Sequence, residues 1–239
     1  MEGNSEEDTS DITYWGHALT QHKDPKHCRI GFANINGLGL YSTNYKNCEF
    51  YSFITHYDFD IFGMAETNVN WQAVPIPDRL HERSRSWWPL RYVSYSYLRQ
   101  DPVLRGVRHQ FGGTAVWTCN SMVHRVASSG NDTYGRWAWT RLRGKHNRWL
   151  RVVAAYCPCF SQEPNSVYQQ QLRNFPPSKP DPRQSFITDL HQELTSWIAE
   201  GDALLVMLDA NSSVLSGPLP EVFHSLSMVN LHFCNKDNL

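Results

Sequence analysis

DIFGMAETN, residues 60–68, is the stretch that decides the fold. Its five apolar residues, 61–65, end at the carboxylate of Glu66, and two polar residues, Thr67 and Asn68, follow. A short apolar run between polar residues predicts a buried β-strand. Open α/β sheets bind ligands beyond the carboxyl ends of their strands, so Glu66 is a candidate functional residue. The alternative is that a polar residue ends this strand by chance.

Composition favours one globular domain. The chain has 239 residues, of which 41% are hydrophobic, enough for a sizeable core, and its net charge of −1 excludes polyanion binding by overall charge alone. Residues 1–11 contain five acidic and no basic side chains. We therefore predict that residues 1–26 form a disordered acidic tail and that residues 27–239 form the folded domain.

The sequence predicts an intracellular protein, located in the nucleus or the cytoplasm. The N-terminus lacks the basic and apolar regions of a signal peptide, and no apolar run is long enough to span a bilayer. The six cysteines show no CxxC pair, and Cys157-Pro158-Cys159 is too closely spaced for a usual zinc site. We expect no membrane contact and no organic cofactor.

Four apolar runs end in polar residues in the same way. They cover residues 28–35, 60–65, 149–155 and 203–208, and their polar ends are Asn34, Asn36, Glu66, Tyr156, Asp209 and Asn211. Strands lying side by side in one sense would bring these ends to one edge. Two carboxylates, three carboxamides and a phenol suit a hard divalent cation that holds a phosphate. Singly, each has a structural alternative: a turn at Asn36, a buried core tyrosine at Tyr156, and a loop cap at Asp209.

The remaining pattern predicts two sheets with helices outside them. Residues 136–143 and 149–156 read as a β-hairpin, and residues 112–118 and 122–127 as a second pair of strands. A helix is expected at residues 47–56. A longer one should start at Asp181-Pro182, with aspartate as the cap and proline in the first position, and continue to about Glu200. The expected architecture is an α/β layered sandwich.

Five motifs in this order resemble the endonuclease/exonuclease/phosphatase superfamily, the DNase-I-like proteins. They are Asn34-Ile35-Asn36-Gly37, Glu66, residues 111–115 (FGGTA), Ala155-Tyr156-Cys157-Pro158 and Leu208-Asp209-Ala210-Asn211. The resemblance spans residues 28–211 and is greatest to the endonuclease domains of non-LTR retrotransposons. It implies a four-layer α/β/β/α sandwich and a magnesium-dependent phosphodiester hydrolase, most similar to a retroelement DNA endonuclease.

The resemblance also implies roles for individual residues. Glu66 would be the main Mg²⁺ ligand, with Asn34 assisting, and Mn²⁺ could replace the magnesium. Tyr156 would contact the scissile phosphate, Asp209 would align or deprotonate the attacking water, and Asn211 would help to hold the phosphate. Asn36 stands where many members of the superfamily have an aspartate.

One part of the family pattern is missing. Members end with a further aspartate and a Ser-Asp-His-like motif, whereas this chain stops 28 residues after Asn211 (239 − 211). His224 and His232 have different neighbours and are not expected to be the catalytic histidine. The domain is therefore expected to be incomplete at its C-terminus, with sheet edges that favour association.

Basic segments that contain tryptophans suggest DNA as the partner. Residues 79–108 carry a net charge of +5 (7 − 2), and residues 136–151 carry +6 with no acidic residue. Such segments can bind the phosphate backbone and stack bases, and the residues expected to do so are Arg136, Arg141, Arg143 and Lys145. The alternative is that they form solvated loops and strand faces.

Two other functions stay open at this point. The same fold and metal site occur in phosphatases of lipids or inositol phosphates. A truncated copy could also be inactive and act only as a binding domain. The retroelement resemblance further suggests an origin in, or fusion to, a reverse-transcriptase polyprotein.

Overall fold

The structure is a computed structural model that describes residues 23–24, 26–39, 45–100, 106–179, 181–213 and 215–231. Most of the predicted acidic tail and His232 lie outside these residues. At the start of the described chain, the Lys23 ammonium contacts a carboxylate oxygen of Asp60 at 2.6 Å. Lys23 therefore packs against the domain next to the strand predicted at residues 61–65.

Eight strands and five α-helices are found in the described residues. The strands are β1 (Ile30–Asn34), β2 (Ile61–Ala65), β3 (Arg91–Ser96), β4 (Thr114–Cys119), β5 (Val126–Asn131), β6 (Trp137–Arg143), β7 (Trp149–Tyr156) and β8 (Asp202–Asp209). The helices are α1 (Tyr45–Tyr57), α2 (Leu80–Arg83), α3 (Val167–Asn174), α4 (Pro182–Ala199) and α5 (Pro218–Ser225). None of these helices is both long enough and apolar enough to cross a bilayer.

The strands form two four-stranded sheets, with the orders β1-β2-β4-β3 and β5-β6-β7-β8. Strand β1 runs parallel to β2 in the first sheet, and β7 runs parallel to β8 in the second. Their registers pair Asn34 with Ala65 and Tyr156 with Asp209. Each sheet therefore contributes one parallel pair whose carboxyl ends carry the candidate residues.

Three apolar clusters define four layers. Phe62 and Trp117 of the first sheet pack with Ile54 of α1, and Val153 of the second sheet packs with Leu190 and Leu194 of α4. A third cluster fills the space between the sheets and consists of Ile61, Val116, Leu142, Val152, Ala154 and Met207. The α/β/β/α sandwich is thus confirmed.

Glycine lets the two sheets approach closely at β2. A Cβ atom on Gly63 would lie 2.5 Å from the terminal methyl carbon of Met207 in β8 and 2.9 Å from the ring of Phe32. The glycine in the middle of DIFGMAETN therefore marks a contact between the sheets, which strand periodicity alone does not reveal.

Most of the predicted elements are present, and one strand is misplaced. The hairpin of β6 and β7 pairs Trp137 with Ala155, and Asp181 caps α4 by accepting the amide N–H of Gln184 at 2.7 Å. The strand predicted at residues 122–127 is wrong, because Asn120–Arg125 forms a 3₁₀ helix. This helix carries the chain from β4 in one sheet to β5 in the other, so the predicted pair of strands does not form.

Candidate active site

The carboxyl ends of β1, β2, β7 and β8 meet at one edge of the sandwich, which we call the catalytic rim (Asn34, Asn36, Glu66, Tyr156, Asp209 and Asn211). The Nδ2 group of Asn34 at the end of β1 donates a 2.6 Å hydrogen bond to Oδ2 of Asp209 at the end of β8. These residues are 175 positions apart and belong to different sheets. The bond therefore joins the two sheets at the place where the sequence predicts convergence.

A chain of amide contacts extends the rim from Asn34. Oδ1 of Asn34 accepts the backbone N–H of Asn36 at 2.9 Å, and Oδ1 of Asn36 accepts from the side chain of Asn68 at 3.4 Å. Asn68 in turn accepts the backbone N–H of Gly112 at 2.7 Å. Asn68 was not predicted as a site residue, since its position two residues after Glu66 gave no separate signal.

The backbone of the rim lies repeatedly in the left-handed region. The φ angles are 44° at Asn36, 54° at Glu66, 55° at Asn68 and 46° at Asn211. Asparagine tolerates this region better than most residues, but glutamate does not share that tolerance. A strained backbone of this kind persists only where the surrounding structure holds it in place, and it is found most often at functional sites. Here the amide of Gly37 donates to the carbonyl oxygen of Glu66 at 2.8 Å and holds that turn.

Tyr156 is buried beside Glu66. Burial is the largest cause that raises the pKa of its hydroxyl above the usual tyrosine value; the negative charge of Glu66, a hydrogen bond to it, and the charge of Asp209 act in the same direction. Tyr156 is only 5% exposed. The hydroxyl therefore stays protonated near neutral pH and is held as a donor toward the carboxylates.

Asn211 and Arg183 complete the side of the rim next to β7. The side-chain amide of Asn211 donates to the carbonyl oxygen of Cys157 at 2.9 Å, and Arg183 of α4 donates to the carbonyl oxygen of Pro158 at 2.6 Å. Burial raises the pKa of the Cys157 thiol to about 11, and the charge of Arg183 opposes this shift. Arg183 thus places a cation close to the rim, and the helical pattern of α4 contained no signal for this role.

The donor chemistry of the rim fits a magnesium ion. Glu66 offers a partly buried carboxylate, and the Asn34 carboxamide oxygen has a second lone pair besides the one that accepts from Asn36. In the described part of the chain, no group of three or more His, Cys, Asp or Glu side chains could enclose a metal. Magnesium does not need such a cage, because it is usually bound by one or two carboxylates, waters and substrate phosphates.

Arg136 requires a correction as a DNA contact. Its side chain is only 2% exposed, and its guanidinium binds Asp132 at 2.9 Å and Asp189 at 2.8 Å. Solvation of a guanidinium is lost on burial, so two carboxylates compensate it inside the fold. Arg136 is therefore a structural ion-pair residue and cannot reach a nucleic acid.

The other three predicted DNA contacts lie at the opposite end of the second sheet. Arg143 pairs in register with Trp149 at the start of β7, whereas the rim residue Tyr156 ends that strand. Seven residue steps of about 3.3 Å separate the two ends by roughly 23 Å. Arg141 is engaged by Asp202 at 2.7 Å, and Arg143 and Lys145 are exposed. This surface does not border the catalytic rim.

The histidines give no catalytic partner among the described residues. His224 is exposed on α5, and no described histidine forms a hydrogen bond or ion pair with a residue of the catalytic rim.

An exposed basic residue near the rim is Arg108. Its carbonyl oxygen accepts the amide N–H of Asn70 at 2.9 Å, and Asn70 lies four positions after Glu66.

Comparison with solved structures identifies the fold. The chain is similar to the human Nocturnin catalytic domain with bound sulfate anion, at 18% identity and a TM-score of 0.53, covering 84% of this chain and 69% of that one. A functionally unknown conserved protein from Enterococcus faecalis V583 matches at 12% identity and a TM-score of 0.50, covering 82% and 71%. An AP endonuclease from Archaeoglobus fulgidus matches at 16% identity and a TM-score of 0.45, covering 77% and 58%.

The protein therefore has the DNase-I-like α/β/β/α fold of the endonuclease/exonuclease/phosphatase proteins. No family model matches the sequence, and no curated protein matches it. At these identities the similarity defines the fold, and the function has to be argued from the site.

Proposed function

We propose that this protein is a magnesium-dependent phosphodiester hydrolase that cleaves DNA, with the catalytic rim as its active site. The observation that carries the proposal is the 2.6 Å bond between Asn34 and Asp209, which joins the two sheets beside the Glu66–Tyr156 pair. Oxygen donors, a protonated phenol and a second carboxylate lie together, as hydrolysis of a phosphodiester requires.

Glu66 and Asn34 would hold the metal ion. When bound, Mg²⁺ would neutralise charge on the phosphate and polarise its oxygens. The hydroxyl of Tyr156 is kept protonated, and its single proton would turn from Glu66 to a phosphate oxygen when the substrate binds. Arg183 adds positive charge on the side of β7, where it favours an anionic substrate.

Asp209 is the proposed base. Asn34 holds its Oδ2 atom, which fixes the carboxylate plane and leaves Oδ1 to accept a proton from a water molecule. The water oxygen attacks phosphorus as the bond to the leaving oxygen breaks, and that oxygen takes a proton from solvent. Asn211 lies two residues further on, where the N–H that does not bind Cys157 can donate to the phosphate.

DNA is the proposed substrate for two reasons. The order of the motifs resembles the endonucleases of non-LTR retrotransposons, and exposed Arg108 and partly buried Arg183 supply positive charge near the rim. The Nocturnin domain binds a sulfate anion, and a phosphate group of similar shape would suit the rim described above. Origin from a reverse-transcriptase polyprotein is part of the same proposal.

Plasmid nicking tests this function. Purified protein should convert supercoiled plasmid to the open circle with Mg²⁺, also with Mn²⁺, and not with EDTA. Glu66→Gln and Asp209→Asn should each reduce the rate by about 10²–10³-fold, because each removes a charge that acts in the transition state. The exposed residue Glu221 of α5 offers a matched control, and Glu221→Gln should cut at the wild-type rate. Equal nicking by Glu66→Gln and wild type would exclude the rim as the active site.

Binding without cleavage is the second candidate function. It is favoured by the absence of a histidine partner at the rim among the described residues. The wild-type protein would then shift labelled DNA in a mobility assay but nick nothing with either metal. Release of phosphate from inositol phosphates without nicking would instead identify a phosphatase.

A further inference from the structure

A pocket beside the catalytic rim contains residues that the hydrolytic mechanism does not use. Its volume is about 500 Å³, and its lining includes Glu66 and Tyr156 together with Phe111, Glu163 and Ser166. We call it the side pocket. Small-molecule sites commonly measure about 300–1,000 Å³. The side pocket can therefore hold a group attached to the phosphate while the phosphate itself lies at the catalytic rim.

The wall formed by the loop before α3 is well ordered by hydrogen bonds. The Ser161 hydroxyl accepts the amide N–H of Glu163 at 3.1 Å, and the Ser166 hydroxyl accepts that of Gln169 at 3.2 Å as the cap of α3. Gln169 also donates to the carbonyl oxygen of Ser161 at 2.9 Å. These bonds fix the backbone of the loop at Glu163, whose side chain is exposed.

Phe111 adds an aromatic ring to the lining of the side pocket. Phe111 is 41% exposed although it is a large apolar residue, and its ring meets that of His109 edge to face with centroids 4.5 Å apart. Behind it, Val167 of α3 lies close enough to Gly112 that a Cβ atom there would be only 3.2 Å away. Phe111 is thus an exposed ring on a closely packed support, suited to stacking on a planar group.

The charge of the residues that line the side pocket determines which chemical groups can bind there. Two carboxylates, Glu66 and Glu163, line the side pocket, and no Lys, Arg or His of the described chain does so. The Glu163 carboxylate has no hydrogen-bond or ion-pair partner among the described residues. A second phosphate would be repelled there, whereas a neutral group with N–H donors would be bound.

We propose that the side pocket binds the nucleobase next to the scissile phosphate and that Glu163 selects guanine, with Phe111 stacking on the base. This proposal rests on the proposed nuclease function. A carboxylate accepts two parallel N–H bonds, and guanine presents two adjacent donors, N1–H and the N2 amino group. Adenine places an acceptor beside its amino group, and thymine has a single donor between two acceptors, so both fit a carboxylate less well.

Cleavage of matched oligonucleotides tests the base preference. Substrates would carry guanine, hypoxanthine or adenine on either side of one cleavable phosphate, and kcat/KM would be measured with Mg²⁺. Wild type should prefer guanine over hypoxanthine, which lacks the N2 amino group, by at least about 5-fold, the lower end of the range for a bidentate contact to a base edge. Glu163→Gln should remove this preference and favour adenine, because a carboxamide both donates and accepts. Glu221→Gln should keep the wild-type preference.

Phe111→Ala gives an independent measurement. It should weaken binding of every base by about 5–100-fold, the cost of losing one stacked ring, without changing the ratio between guanine and hypoxanthine. Equal cleavage of all bases by wild type, or an unchanged preference in Glu163→Gln, would overturn the base subsite. The nuclease proposal would survive that outcome as long as wild type nicks DNA and Glu66→Gln does not.

If wild type cleaves nothing, the nuclease proposal fails and calorimetry with nucleosides, which carry no phosphate, decides the subsite. Guanosine should then bind more tightly than inosine and adenosine, and Glu163→Gln should abolish that difference. Equal binding of the three nucleosides, or no binding at all, would overturn the base subsite.

Discussion

Glu66 illustrates how the surroundings of one residue define its chemistry. By sequence it is a carboxylate at the end of an apolar strand. In the structure it has a left-handed backbone with φ of 54° and lines one pocket with Tyr156. The pair is also coupled electrostatically, since the charge of Glu66 contributes to the raised pKa of the phenol. At the proposed site, the charge of the metal ligand Glu66 therefore helps to keep the phosphate donor Tyr156 protonated.

Tyr156→Phe tests this pair at neutral pH. The variant keeps the ring and loses the donor, so the nicking rate should fall by about 10²-fold, as for loss of one preorganised hydrogen bond. The protein should stay folded, as judged by circular dichroism. A rate within twofold of wild type would show that the hydroxyl does not contact the phosphate.

The same variant carries a prediction about alkaline stability. The folded protein holds the Tyr156 proton above pH 10, where an unfolded tyrosine loses it. The stabilisation due to the raised pKa is complete below about pH 10 and is lost as the pH rises beyond it. In urea titrations with EDTA, wild type should therefore lose more stability than Tyr156→Phe between pH 8 and pH 11. Parallel losses in the two proteins would contradict the raised pKa.

Among the elements, the hairpin of β6 and β7 was the most predictable and the segment after β4 the least. Alternation along residues 136–143 and the apolar run at residues 149–156 together predict the hairpin. In the structure β7 is buried on both faces, against α4 on one side and the first sheet on the other. Residues 122–127 carry a similar pattern, yet Asn120–Arg125 forms a 3₁₀ helix between the sheets. A local sequence pattern does not distinguish a strand from a segment that crosses between sheets. What decides is whether the next strand pairs in the same sheet or in the other one.

The turn of this hairpin can be improved. His146 and Asn147 have φ angles of 54° and 57°, and Arg148 donates to the carbonyl oxygen of Lys145 at 3.1 Å, as in a type I′ turn. Asn147→Gly should stabilise the protein by about 0.5–1 kcal/mol, because glycine adopts this region without steric cost. The melting temperature should rise by about 1–4 °C. Asn131→Gly, within strand β5, should lower it instead, and a fall for Asn147→Gly would refute the turn assignment.

Across the whole molecule, the second sheet has a stabilising ion network at one end and the catalytic rim at the other. At its end remote from the rim, Asp202 accepts Arg141 and Arg151, and the Arg151 guanidinium lies 4.2 Å and 4.6 Å from the ring centroids of Trp139 and Trp197. Trp139, Arg141 and Arg151, which lie in the basic segment that suggested DNA binding, thus belong to a buried ion network. Burial of both partners favours a structural role over a surface one.

Asp202→Asn tests this division. Asp202 is 6% exposed, and its loss leaves two guanidinium groups without their shared carboxylate. Urea denaturation should show a loss of about 3–5 kcal/mol, the range for breaking a buried ion pair. Asp78→Asn, at an exposed position, should change stability by less than about 0.5 kcal/mol.

The folded fraction of Asp202→Asn should retain its affinity for DNA and metal, because the rim lies roughly 23 Å away along β7. A variant that stays as stable as wild type would contradict the structural role of the network. Weakened DNA binding by a fully folded variant would show that this end of the sheet contacts the substrate.

The sequence by itself determined most of the strands, the two longest helices and the polar residues at the ends of β1, β2, β7 and β8. These features depend on local periodicity and on helix caps, which act between near neighbours in the chain. Glu66, Tyr156, Asp209 and Asn34 were identifiable on that basis, together with the order of the motifs.

Only the tertiary structure decided which of those ends touch and which charges face solvent. The contact of Asn34 with Asp209 spans 175 positions. Arg136 and Arg151 are buried with carboxylates from other elements, and Glu163 lines one pocket with Glu66. Burial and proximity are properties of the packed sheets, and composition or spacing along the chain cannot specify them. The physical reason is that each depends on residues distant in sequence.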